Sequence, residues 1–511
     1  MIRLSVNIKT MQQPTKNITR YDELALMSSL INGDTTTSTL LLENGVVDIN
    51  ALGDRPFRNA IWSENIECVT LLLNHGANVH VNNDFPLILA VERNLTSIVS
   101  VLLQHGANVH ARDDYALREA TTRGNEDIVR ILLQHGANVH AHDDYALREA
   151  VRVCNEDTVR ILLEHGASVH VHDDLPLRLA TEKGLASIIS LLFQYNANVH
   201  ARDDEALILS IFSCNVDIVR ILLEHGANVH ARDDEPLIEG VRSCNVDIVR
   251  ILLEHGANVH ARDDEPLQEA VRICNVDIVR LLIQNGANVR THGDMALRDA
   301  VRSCNIDIIR LLLEHGADVH THGDMALIES VRSCIVDIVR LLLEHGANVH
   351  ARGDLALREA VYRESIPVIQ TLLVHGADVH VVERELLLVA HNGQYANIVR
   401  SLLEHGGNPK SFGISNALIA AAEYGREEIV RILLEAGVDV HVQDEQPLRA
   451  AVQRHRIVKT RTAEYEKCVT LLLSYGADPS ALSFEEQKEL TLLIGDGEGD
   501  TKPVFTKFVY L

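Results

Sequence analysis

Residues Ser213 to Leu237 read SCNVDIVRILLEHGANVHARDDEPL, and Ser243 to Leu267 read the same 25 letters again. On either side the phrase HGANVH, or a near variant, closes one unit after another. Its glycine falls at Gly76, Gly106, Gly136, Gly166, Gly226, Gly256, Gly286, Gly316, Gly346, Gly376 and Gly406, and Asn196 fills the one slot of that series without glycine. Eleven consecutive steps of 30 residues pass with no insertion or deletion. A fixed period of this length marks a solenoid, in which each unit buries its apolar face only against its neighbours. A solenoid is first of all a surface, so the repeat also limits what function can be read.

The stretch Ala231 to His260 serves for all. Asp233 and Asp234 are turn formers able to cap a helix start, and Pro236 suits the first helical position, where its missing N–H costs nothing. Leu237, Gly240 and Val241 put apolar or small residues on one face of a short first helix. Ser243-Cys244-Asn245 breaks it. Asn245 is placed to cap a second helix, with Asp247 in the first turn, where negative charge is favoured. Ile248, Val249, Ile251, Leu252 and Leu253 make that helix apolar on most sides, as a buried layer requires. Gly256 supplies the left-handed residue that ends helices. Ala257-Asn258-Val259-His260 then runs extended into the next turn. Each unit is predicted as turn, helix, turn, helix, and the fold class as all-α.

Pro236-Leu237, Ile248-Val249, Leu252-Leu253 and Gly256-Ala257-Asn258-Val259 resemble the ankyrin repeat, whose T-P-L-H-x-A precedes I-V-x-L-L-L-x-x-G-A-D/N-V. The resemblance covers about residues 21–480 and is most specific in its second half. The departures are regular. The family period is about 33, against 30 here. The missing residues lie between Ala231 and Pro236, where the family has a β-hairpin finger tip. Phe85, Tyr115, Leu175, Glu205 and Met295 stand where the family has its capping Thr, and Ile238, Gln268 and Arg298 where it has His. The resemblance implies an ankyrin-repeat solenoid of about 15 helix-turn-helix units with short β-turn fingers, Asp234 and its equivalents taking over part of the capping. Short, acidic, His-rich arrays of this type resemble those of giant DNA viruses that infect amoebae.

Three segments are expected: a lead at 1–20, the array at 21–480, and a capping helix with a tail at 481–511. The first unit is degenerate. One large insertion falls near 453–466, where Gly437 to Gly476 spans 39 residues. It carries Arg454, His455, Arg456, Lys459 and Arg461. Two readings stand: a lengthened first helix with a solvated loop, or a basic contact for an anion or partner. The apolar tail either folds back on the last repeat or acts as a docking peptide.

With 47 basic and 72 acidic residues the formal charge is −25, which repels phosphate backbones and anionic membranes. No apolar run of about 20 residues reads as a membrane span, and the first twenty residues lack the apolar segment of a signal peptide. The expectation is a monomeric protein of the host cytoplasm or of a virion, with no nucleic acid and no membrane as partner.

Nearly all of the 27 histidines fall in columns. One precedes the helix-ending glycine, as His255 does, and one follows the valine, as His260 does. Equivalent atoms of stacked helices lie roughly 8–10 Å apart, whereas zinc needs nitrogens at about 2.0–2.1 Å. No metal and no cofactor are expected. An imidazole at a helix C-terminus is expected to bond free carbonyls and complement the dipole. Cys154, Cys214, Cys244, Cys274, Cys304 and Cys334 occupy the inter-helix turn, where ankyrin repeats often have Gly, and Cys68 and Cys468 an apolar position of the second helix. Free, partly buried thiols in a reducing compartment are expected. Catalysis needs a nucleophile, base and orienter that occur once. Only His391 and His455 stand outside the columns, neither with an evident partner, so no enzyme is expected.

Columns that stay fixed are structural, and columns that change are free to specify a partner or to drift after duplication. The position after Asp-Asp changes most, from Tyr115 and Tyr145 through Glu205, Glu235 and Glu265 to Met295. Ankyrin proteins bind with finger tips and first-helix face. Carried over, the resemblance puts Arg112, Tyr115, Arg118, Tyr145, Arg148, Arg202, Glu205, Arg232, Glu235, Arg262, Glu265 and Arg298 on a concave face as candidate partner contacts. The expected function is a non-catalytic scaffold binding a partner protein there. The alternatives are a structural or self-associating particle component, and a substrate adaptor for a ubiquitin ligase. Poxviral ankyrin adaptors carry a C-terminal F-box-like domain of several dozen residues; the short segment expected after the capping helix argues against the adaptor unless a short peptide recruits the ligase.

Overall fold

Asn245 accepts the backbone N–H groups of Asp247 and Ile248 with its side chain and so starts the helix Val246–Glu254. Gly256 ends it at φ 86°. Its N–H donates to Leu253 O and that of Ala257 to Leu252 O, both at 3.0 Å, the paired bonds that close a helix C-terminus on a left-handed residue. Asn196 takes the same conformation at φ 62°, which asparagine tolerates better than most side chains. Leu237, Ile238 and Val241 of the first helix and Ile248, Val249, Ile251 and Leu252 of the second are buried. Each such side chain contributes about 1.5–3 kcal/mol on burial, so this layer holds the repeat to its neighbours.

The computed structural model describes residues 20–45, 47–382, 390, 396–458 and 462–495. The lead 1–19, His391, Lys459, Arg461 and the tail 496–511 lie outside the described residues. Among the described residues every regular element is helical. The chain forms two units, Met1–Asn258 and Val259–Leu511. The first unit runs from the helix pair Arg20–Ile31 and Thr35–Glu43 to the pair Ala231–Arg242 and Val246–Glu254. The second opens with Ala261–Arg272 and Val276–Gln284, followed by pairs at Thr291–Arg302, Thr321–Ser333 and Ala351–Tyr362. Then come the second helix Ala396–Glu404, the pairs beginning at Phe412–Glu423 and Val442–Val458, and the capping helix Phe484–Gly495. Fourteen complete pairs and the second helix of a fifteenth are described.

The short finger is a left-handed turn. Arg232, Asp233 and Asp234 take φ values of 51°, 61° and 62°, three left-handed residues in a row. Arg112–Asp114, Arg202–Asp204 and Gln443–Glu445 repeat the turn. The segment leading into it does not run extended either: Ala231 N–H closes a turn on Asn228 O at 3.1 Å. A left-handed non-glycine residue costs roughly 1–2 kcal/mol, so such a turn requires compensation from outside itself.

The six inter-helix cysteines are also left-handed, with φ of 53–62°. Five are exposed and Cys304 is intermediate, which corrects the expectation of partial burial for the row, while Cys68 and Cys468 are buried. Burial pushes the Cys68 thiol up and that of Cys468 to about 12.

The insertion lengthens a first helix to the 17 residues Val442–Val458. His455 is buried in that extension. It has a partner after all, Glu489 of the capping helix, at 3.0 Å from its Nδ1. Tyr465 meets the His455 ring edge-on, with centres 6.1 Å apart. The added length thus seats the cap.

Candidate interaction surface

The compensation for the left-handed turn is a buried carboxylate. Asp114 is 4 % exposed. Its Oδ1 accepts the backbone N–H of Asn138, one repeat on, at 2.7 Å and faces Nδ1 of His110 at 3.1 Å. Asn138 Oδ1 accepts the N–H of His140 at 3.0 Å, and His140 Nδ1 lies 3.1 Å from Asp144. Asp144 accepts the N–H of Ser168 at 2.8 Å. This ladder runs through the first unit from His80 and Asp84 to Asp204 and Asn228. In the second unit it runs from Asp264 and Asn288 to Asp354 and Asp378. At one rung Arg290 replaces the histidine, and burial pushes the Asp294 carboxyl above the usual carboxylate range.

The other histidine column behaves as its sequence position implied. His255 Nδ1 lies 2.9 Å from Ile251 O and His315 Nδ1 2.8 Å from Leu311 O. A carbonyl only accepts, so Nδ1 carries the proton. For the column of His110, bonding to a free carbonyl is replaced by bonding to aspartate. The repeated His-x-x-x-Asp spacing was the legible signal for it. Among the described residues no three His, Cys, Asp or Glu side chains gather as a metal would need.

The changing columns lie on the turn and the first helix. Tyr115 and Tyr145 are half-buried. The guanidinium of Arg118 lies between them, 5.5 Å from one ring centre and 5.8 Å from the other, and Arg148 lies 5.8 Å from Tyr145. The Tyr115 hydroxyl donates to Glu119 at 3.4 Å and to Glu92 at 3.5 Å. Burial first, and then these carboxylates, push its phenol pKa up. Arg118 also donates to Arg112 O at 3.2 Å and Arg148 to His142 O at 2.9 Å. These arginines therefore tie the first helix to the left-handed turn. Ile208 and Ile238, buried in the same column, pack there instead.

Further along the first unit the surface becomes a charge lattice. Glu205 lies 2.6 Å from Arg178 and 3.8 Å from Arg202, which reaches Asp173 at 3.5 Å. Arg232 lies 3.8 Å from Glu235 and donates to Arg202 O at 3.1 Å, and Arg112 donates to Asn82 O at 3.3 Å. In the second unit Arg262 lies 3.7 Å from Glu265. Arg298 is half-buried, and its enclosed Nε has no partner. Glu92 and Glu119, which accept from Tyr115, lie outside the changing columns, and their role was not legible from change alone. The basic cluster stands apart. Arg454 lies 5.3 Å from the Tyr424 ring centre and 3.9 Å from Glu423, and Arg456 is exposed. Lys459 and Arg461 lie outside the described residues.

A family model described as "Ankyrin repeats (3 copies)" matches residues 87–173, 177–263, 237–322 and 386–483, and one described as "Ankyrin repeat" matches 322–354. Among solved structures, the crystal structure of the human ASB11 ankyrin repeat domain matches at 25% identity and a TM-score of 0.31, over 41% of this chain and 95% of that one. No curated protein matches by sequence. Among the described residues no helix is long and apolar enough to cross a membrane.

Proposed function

Because the chain belongs to the ankyrin repeat family, whose repeats mediate protein–protein interaction, we propose that it is a non-catalytic scaffold that binds a partner protein through the turn and first-helix face. This is the face that forms the concave side in the resemblance. One observation carries the reading. The buried layer and the Asp–His–Asn ladder repeat almost unchanged, while half-buried residues that change in kind gather on that face. Tyrosine and arginine are the side chains that most often dominate binding energy when desolvated by a partner, and Tyr115, Arg118, Tyr145 and Arg148 stand stacked there. Following the resemblance to giant-virus arrays, we place the partner in the host cytoplasm and take the chain to act as a monomer.

The test is capture of host-cell proteins by the intact chain and by a variant with Tyr115→Ala and Tyr145→Ala. These tyrosines are half-buried, so the helical fold should survive, as circular dichroism would report. The expected result is one stoichiometric partner that the variant fails to hold. Equal capture by the folded variant would move the binding site off this face.

A further inference from the structure

Three consecutive repeats of the second unit carry a surface unlike the rest of the turn and first-helix face. At the finger tip, where Asp233 and Asp263 stand elsewhere, they have Gly293, Gly323 and Gly353 at φ 64°, 67° and 68°. At the next changing position, where Glu265 pairs with Arg262, they have Met295, Met325 and Leu355, all half-buried. An acidic side chain is therefore lost at two positions per repeat, and an apolar strip replaces it. Arg298 and Arg358 bracket this strip from its first and third repeats. Arg118, Arg148 and Arg178 of the same column bond carbonyls or glutamate. Arg298 and Arg358 differ: among the described residues neither makes a hydrogen bond or an ion pair. In a chain of net charge −25, two uncommitted guanidiniums beside an apolar strip call for an anionic counterpart.

We propose that Met295, Met325 and Leu355, bracketed by Arg298 and Arg358, bind an extended acidic peptide of a partner protein. This rests on the reading that the first-helix face is the partner surface, and it names the chemistry recognised there. The spacing sets the ligand. Stacked repeats advance about 8–10 Å each, so guanidiniums two repeats apart lie roughly 16–20 Å apart. An extended chain rises about 3.3 Å per residue, so five to six residues cover that span. Side chains on one face of a strand recur every second residue. The matching pattern is acid-x-apolar-x-apolar-x-acid, with both carboxylates and both apolar side chains turned to the protein. Each carboxylate forms a charge-assisted pair with one arginine, and the two apolar residues settle along the methionine and leucine side chains.

The experiment is selection of a random 12-residue peptide library displayed on phage against the full chain, repeated against Arg298→Gln with Arg358→Gln. Glutamine occupies the same column natively at Gln268, so the variant keeps the fold. Enriched peptides are expected to carry two acids six residues apart with apolar residues between, and to bind the variant at least tenfold more weakly by fluorescence anisotropy. No enrichment, enriched peptides without paired acids, or equal binding to the variant overturns the proposal. The Tyr115→Ala, Tyr145→Ala variant separates the two readings. It should bind these peptides like the parent. A host protein lost by that variant and kept by the arginine variant would leave the scaffold reading standing and remove this one.

Discussion

Asp114 Oδ1 holds the backbone N–H of Asn138 at 2.7 Å, so a carboxylate at the end of one finger fixes the start of the next. The bond joins the strained turn Arg112–Asp114 to the frame of the array. Asp114→Ala should leave a part-buried N–H unpaired and the turn unsupported. The expected loss is about 1–3 kcal/mol. Because unfolding in repeat arrays is local, amide exchange across 111–140 reports it best. Asp114→Asn keeps an acceptor oxygen and should cost much less. Equal protection in all three proteins would show that the ladder does not support the turn.

The thiols make a count that can be checked directly. Cys154, Cys214, Cys244, Cys274 and Cys334 are exposed and Cys304 is intermediate, whereas Cys68 and Cys468 are buried. Ellman's reagent should titrate six thiols in the native protein and eight after denaturation, since reactivity follows thiolate and access. In addition, Cys244→Gly should relieve a left-handed side chain worth roughly 1–2 kcal/mol, less about 0.5–1 kcal/mol of glycine backbone entropy. A small rise in the urea midpoint is expected, and a fall would mean that the thiol packs.

How much of this was legible in the letters divides along physical lines. The helix pairs were legible because Asn245, Gly256 and the apolar run Ile248 to Leu253 act locally. The left-handed finger was not, because Arg232, Asp233 and Asp234 take conformations that residue type disfavours, with Asp234 held by Asn258, 24 residues away in sequence. Asp234 was read as a cap for its own helix, and its equivalents serve the neighbouring repeat instead. The partner of His455 was hidden for the same reason, since Glu489 arrives from the capping helix. The face with changing residues was legible as a pattern. That Arg118 and Arg148 also brace the turn was not, because carbonyl acceptors leave no mark in a sequence.

The bond to Glu445 raises the pKa of His441 above its ordinary value. A raised histidine stabilises fully below its unfolded value of about 6.5 and loses that contribution as pH rises through the folded value. The parent should therefore exceed His441→Gln in urea midpoint by most near pH 6, and by less at pH 9. A gap of the same size at both pH values would assign the effect to packing.

The capping helix Phe484–Gly495 is held by polar contacts that can be removed singly. His455 lies 3.0 Å from Glu489, and Gln453 donates to Glu486 at 2.5 Å. Although burial opposes ionisation of Glu486, bonds from Gln453 and Ser483 hold its carboxyl below the usual range. His455→Ala or Gln453→Ala should speed amide exchange in 484–495 by tenfold or more while Val246–Glu254 keeps its rate. Unchanged exchange in 484–495 would mean that apolar contacts alone seat the cap.

The partner's seat on the scaffold decides the account. Hydrogen exchange should be measured on the intact chain with and without the captured partner. The account predicts new protection in the first helices and turns, Ala111–Thr122 and Ala141–Arg152, with none in the second helices Glu126–Gln134 and Glu156–Glu164. Protection confined to the second helices would contradict it and place the binding surface on the opposite side of the repeats.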